Sequence, residues 1–428
     1  MRKTTLSTLI FATALGVTGA LVSNSCYAMT VDTDLTMDAD ITTGVVVPSG
    51  KSVVIDLNGH NISVDSAKDT IYVENGATLE LKGAGTVAEP ASGKHANLFN
   101  NGNTTINGDV KMLHTVGYYV ILNHGVMTIN NITIDASKDT NSVVVNGYYN
   151  YGTTNERTGY VEGKGIAQPK LTFNGGKINA TNKNVTFKTD DNGVTEINGG
   201  EFHSTNAGAL QNANVTTING GSFFLENDAE QVMIHNDFYS GGKNAGELTI
   251  NGGEFSRKTK SEAQPLIAVM DGATTEINRG VFSEAPKDAH LANGAVKETV
   301  DGKTVVGFAF DVTVVAPEAV AGTLTMTNAK ESVMEGMPVE FKAAAKEGYV
   351  VESITATNND DFTQTVKGDT LTFRMPATNI TVTAKFVKKE AVKEDIKNPA
   401  TGDNIFAVLM TGIASLSGLA TVAFSLKR

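Results

Sequence analysis

In the stretch VMIHNDFYS (232–240), His235, Asp237 and Tyr239 alternate with Ile234 and Phe238. Side chains alternate across a strand, so in extended chain the three polar groups share one face. An imidazole two residues from a carboxylate suits acid–base chemistry, one group taking a proton and the other returning it. Aligning neighbouring repeats adds Lys188 and Gln211 to the His235 column and sets Asp190 beside Asp237. A solvated polar face gives the same pattern. Lys188, Asp190, His235 and Asp237 are therefore catalytic candidates of an alternative reading, and the primary expectation is that the chain is not an enzyme.

A second cluster lies in GYYNYGTTNERTGYVEGKGIAQP (147–169), which holds Tyr148, Tyr149, Tyr151 and Tyr160, four of the chain's ten tyrosines. Aromatic side chains offer large contact area for few frozen torsions, and excursions from a repeat array often bind, so these four are the ligand-binding candidates. Other signals fail on spacing. GVVVPSGKS (44–52) puts five residues between its glycines where a phosphate loop needs four. DTDLTMDAD (32–40) lacks the Gly and the closing Glu of a calcium loop, and no His pair has zinc-site spacing. No metal and no cofactor are expected.

The elements that must position these residues follow from composition and period. The chain of 428 residues has 43 Gly, 9 Pro, no Trp and one Cys, a composition of turns and strands. Residues 1–28 read as a signal peptide: Arg2 and Lys3, an apolar run from Leu6 to Val22, and a small-residue site at Ala28. Cys26 leaves with it, which suits an oxidising exterior and excludes thiol chemistry. Without residues 1–28 and 402–428 there remain 30 basic and 45 acidic residues, a net charge of −15. Such a surface repels nucleic acid, so no nucleic-acid partner is expected.

Ile-Asn-Gly-Gly-x-Phe stands at 197–202, 218–223 and 250–255, with a variant at 277–282. Weaker copies run upstream to Leu57-Asn58-Gly59, in steps of 24, 25, 23, 44, 24, 21, 32 and 27 residues, the step of 44 holding the tyrosine insertion. Asn100, Asn123 and Asn146 each close an apolar strand at the same period. Short strands at a fixed period in the low twenties predict a solenoid in which Ile197, Ile218, Ile250 and Ile277 stack inside. Asn forms a corner ladder there, and Gly supplies the corner's positive φ. A leucine-rich repeat would need a helical half per unit, which is missing.

The pattern over about 31–307 resembles right-handed parallel β-helix, pectate-lyase-like repeats of bacterial surface proteins. Beyond it, Met375-Pro376-Ala377 followed by Val382, Thr383, Ala384 and Phe386 resembles the divergent internalin-B-type repeat, which implies a small β-rich spacer without catalytic residues. The expected fold is all-β: a right-handed parallel β-helix solenoid at 29–307, a small β-rich domain at 308–388 and a linker at 389–397. Residues 398–428 are similar to a cell-wall sorting signal: Asn398-Pro399-Ala400-Thr401-Gly402, an apolar run from Ile405 to Leu426 long enough to form a transmembrane helix, and Lys427-Arg428. Asn398 stands where such signals usually carry Leu. The resemblance implies a sortase-type transpeptidase and peptidoglycan as partners, and a secreted protein covalently attached to the cell wall of a Gram-positive bacterium. The functional expectation is adhesion or recognition of a glycan or host-matrix ligand. The alternatives are a polysaccharide lyase or glycoside hydrolase, whose sites on this fold use outward-facing stacks, and a structural surface-layer component.

Overall fold

The computed structural model describes residues 29–64, 68–90, 95–114, 118–136, 142–149, 159–181, 185–205, 207–226, 231–237, 245–327 and 330–390. Almost all regular structure is β, as the composition predicts. Each turn of the chain contributes one short strand to each of three parallel sheets. In sheet A the strands run from Met29–Thr30 to Ile267–Val269, and in sheet B from Leu35–Thr36 to Thr274–Ile277, ten in each. In sheet C they run from Asn61–Val64 to Gly280–Phe282. This is the parallel β-helix that the period predicts.

The repeat sequence explains the stacking. Ile197, Ile218, Ile250 and Ile277 are register partners on successive rungs and fully buried. The motif phenylalanines form a second pillar, with Phe202, Phe223, Phe255 and Phe282 face to face at centroid distances of 4.5, 5.0 and 5.0 Å. At the corner between the two pillars Gly200 has φ +109°, and a Cβ there would sit 2.7 Å from the Phe173 ring, so only glycine fits.

Two asparagine ladders seal the corners. An outer one runs through Asn107, Asn130, Asn174, Asn198, Asn219, Asn251 and Asn278, each amide donating to the oxygen of the preceding Asn at 2.7–3.0 Å. Its first member, Asn107, donates to Glu80 at 2.9 Å, so a carboxylate terminates the donor end. An inner, buried ladder runs the opposite way: Asn100 donates to Asn123 at 2.7 Å and Asn123 to Asn146 at 2.8 Å. Where Thr189 replaces Asn, its hydroxyl joins those of Thr195 and Thr216 and the relay resumes at Asn212.

The acidic stretch at 32–40 ends the solenoid. Asp34 accepts the backbone N–H of Val54 and Asp40 that of Asn61, both at 2.9 Å, taking the place of carbonyls that a preceding rung would supply. GVVVPSGKS is a strand, a turn through Gly50 at φ +77°, and the next strand. At the other end sheet C does not stop. Gly280–Phe282 pairs antiparallel with the long strand Lys303–Val314, which in turn pairs with Ile380–Lys388 of the C-terminal unit. The boundary expected at 307/308 thus falls inside one strand. The C-terminal unit has its own core around Val339, Phe341, Ile354, Leu371 and Val382.

Candidate functional site

Register in sheet A stacks Tyr72, Phe99, Leu122, Val145, Lys188, Gln211, His235 and Ala268 into one outward column. The polar members predicted from sequence are therefore neighbours, and the apolar members continue the column upstream. That upstream part is covered: Phe99, Leu122 and Val145 pack with Tyr118 and Tyr119 into a small cluster outside the solenoid core.

The Lys188 ammonium lies 3.1 Å from Asp190 Oδ1, and the Asp190 side chain is 1% exposed. Tyr149 roofs this ion pair, with the Lys188 ammonium 5.6 Å from its ring centroid, within the range of a cation–π contact. Tyr119, Leu122, His124, Val145 and Tyr149 close around Asp190 in a seam too narrow for water. Farther along the column Gln211 reaches Asp237 at 3.4 Å. Tyr149 of the insertion and the polar column from Lys188 to Asp237, 39 to 88 residues further along the chain, thus meet at one place.

Burial sets the electrostatics. Loss of hydration raises the Asp190 carboxyl above its ordinary range, and Lys188 pulls it back. Asp237 is pushed up to about 6 by burial, opposed by Gln211 and Lys188 and reinforced by the Asp190 charge. Burial lowers His235. Tyr119 is held above the ordinary phenol range by burial first, then by Tyr118 and the Asp190 charge.

The tyrosine cluster is corrected in part. Tyr148 is 1% exposed and is not a recognition side chain. Its backbone bridges to Asp191 on the following rung, which turns the ring onto His124 at a centroid distance of 4.2 Å. Its hydroxyl donates to the Ile166 carbonyl at 2.8 Å and so closes the insertion onto the rod. Tyr160 stacks edge-on against Tyr148 and, like Tyr149, is half-buried. Tyr151 and Tyr239 lie outside the described residues. Tyr118, Tyr119 and His124 were missed from sequence. Extending the Lys188 column upstream to Leu122 and Val145 would have found the face they cover.

Residues 310–390 match the family model described as the Divergent InlB B-repeat domain, the module anticipated from Met375 to Phe386. The match supports a surface- or adhesion-like repeat protein. Comparison with curated proteins and with solved structures gives no match. The signal peptide at 1–28 and the sorting signal from Asn398 through Gly402 to the basic tail lie outside the described residues. Among the described residues no helix is long and apolar enough to cross a membrane.

Proposed function

We propose that this chain is a secreted, wall-anchored surface protein whose β-helix recognises a glycan or matrix ligand on the outer face of sheet A. The observation that carries the reading is the convergence of Tyr149 with Lys188, Asp190, Gln211 and Asp237 on one patch assembled from separate rungs. The half-buried Tyr149 ring suits stacking on a sugar whose hydroxyls bond the half-buried Gln211 amide and Asp237 carboxyl, while the buried Lys188 and Asp190 pair supports the ring from beneath. The internalin-B-type module supports surface display. Anchoring rests on the order of motif, apolar run and basic tail at 398–428.

The test is a glycan and matrix-protein binding screen with the secreted chain. Tyr149→Ala combined with Gln211→Ala should abolish the strongest hit while leaving the fold intact, and unchanged binding would place recognition elsewhere. Thr401→Ala should move the protein from the wall-digest fraction to the detergent fraction.

The raised carboxyl of half-buried Asp237, two residues from His235, favours a second, enzymatic reading, since glycosidic bond cleavage needs an acid that holds its proton above the ordinary carboxylate range. Depolymerisation of a polysaccharide that is lost in His235→Ala and Asp237→Asn would turn the proposal to that reading.

A further inference from the structure

Sheet B also carries chemistry, at its C-terminal end. Its outward side chains are mostly threonine and valine, and two of its earlier carboxylates are already engaged. Glu80 accepts the Asn107 amide at 2.9 Å and Glu196 that of Asn219 at 3.0 Å. Lys170 faces Val194 in register while Thr172 faces Glu196, so the only lysine of these middle rungs lies diagonally across from a carboxylate.

The last two rungs differ. Glu247 pairs in register with Thr274, and Thr249 with Glu276. Four outward side chains thus form a square with carboxylates on one diagonal and hydroxyls on the other. A strand spacing of about 4.8 Å and two residues of rise put the diagonal positions roughly 8 Å apart, so both carboxylates can reach one group held between them. Among the described residues Glu247 has no side-chain partner, and Glu276 has only a long contact of 3.5 Å to Asn278, because the outer ladder ends there.

The square sits in a depression of about 450 Å³. An eleventh rung starts and stops beside it: Leu291 bridges to Ile277 and Ala292 donates to the Ile277 carbonyl at 3.0 Å, after which the chain leaves into the hairpin that begins at Ala295. Leu291 and Ala292 make an apolar wall and Asn293 adds an amide, while no basic residue lines the space.

We infer that this depression binds an amino sugar with a free amine. Its ammonium lies between Glu247 and Glu276, its hydroxyls meet Thr249, Thr274 and Asn293, and its C–H face rests on Leu291 and Ala292. Two uncompensated carboxylates reject acidic sugars, and neutral sugars leave both charges without a counter-ion. This site is separate from the sheet A patch.

The experiment is calorimetric titration of the full secreted chain with glucosamine oligomers, with N-acetylglucosamine oligomers and a lysine tetramer as comparators. Glucosamine oligomers should bind, more weakly at high salt. Glu247→Gln with Glu276→Gln should cost about tenfold or more in affinity. A control that removes two charges elsewhere, Glu201→Gln with Glu352→Gln, should bind as wild type does. Absence of binding, equal loss in the charge control, or comparable binding of the acetylated oligomer or the lysine tetramer would each overturn the inference.

Discussion

The outer faces of sheets A and B are built on the same rungs, yet they have opposite characters. On sheet A the outward column changes from aromatic and aliphatic to Lys188, Gln211 and His235, and much of it is covered. On sheet B it is open and mostly threonine, with Thr105, Thr128, Thr172, Thr217 and Thr249 in one column interrupted by Glu80, Glu196 and Glu276, and an exposed amide ladder beside them. The solenoid is held by what points inward and by its corners, so the outward positions are free to diverge. On sheet B the carboxylates that interrupt the threonine column earlier, Glu80 and Glu196, are each held by an Asn amide, whereas the pair on the final two rungs, Glu247 and Glu276, has no such short contact.

The sharpest way to break the comparison is to remove a charge from each face. Lys188→Met leaves Asp190 buried without its ion-pair partner, which should cost about 3–5 kcal/mol in chemical denaturation near neutral pH. The loss should shrink as pH falls, because a carboxyl whose folded pKa is raised binds its proton more tightly in the folded state. Lys170→Met on sheet B should change stability by less than about 0.5 kcal/mol. Equal effects would mean that the sheet A column is an ordinary solvated face.

The two ladders sharpen the same contrast at smaller scale. Asn123 is buried, donates to Asn146, the Gly125 carbonyl and the Lys170 carbonyl, and accepts from Asn100. Asn123→Ala strands several of these groups without water and should cost about 2–3 kcal/mol. Asn174→Ala interrupts the outer ladder where solvent can replace the lost bonds, and about 0.5–1 kcal/mol is expected. Thermal unfolding of the two variants side by side measures the difference.

Much of this was legible in sequence because a stacking fold repeats what it buries. Ile197, Ile218 and Ile250 announced the inner pillar, and the Asn markers fixed the register that put Lys188, Gln211 and His235 in one column. Tyr148 was misread because its direction is decided by pairing with Asp191 across the insertion, a contact with no period. Tyr118 and Tyr119 sit in a connection between sheets C and A, where spacing carries no information about direction. The Glu247 and Glu276 diagonal depends on where the eleventh rung breaks off, which is set by the hairpin at 295–314 and by no feature of the repeat.

The smallest expected effect concerns two neighbours on sheet A that titrate in opposite senses. Asp237 has a folded pKa of about 6 against an ordinary 3.8, so its contribution to stability is greatest at acid pH and is lost as pH rises from about 4 to about 6. His235 has a folded pKa below 6.5, so the folded state resists its protonation and stability from this group falls as pH drops. In the wild type the two slopes partly cancel, while Lys188 and Asp190, the charges facing them, are common to every variant compared. Asp237→Asn keeps an oxygen for the Gln211 amide and unmasks the histidine slope, so this variant should gain stability relative to wild type as pH rises from 4 to 7. His235→Gln should show the reverse trend. The measurement is the urea midpoint of the three proteins across that range. Parallel pH curves would mean that both side chains are as well hydrated as the open face of sheet B, and the contrast between the two faces would then rest on Lys188 and Asp190 alone.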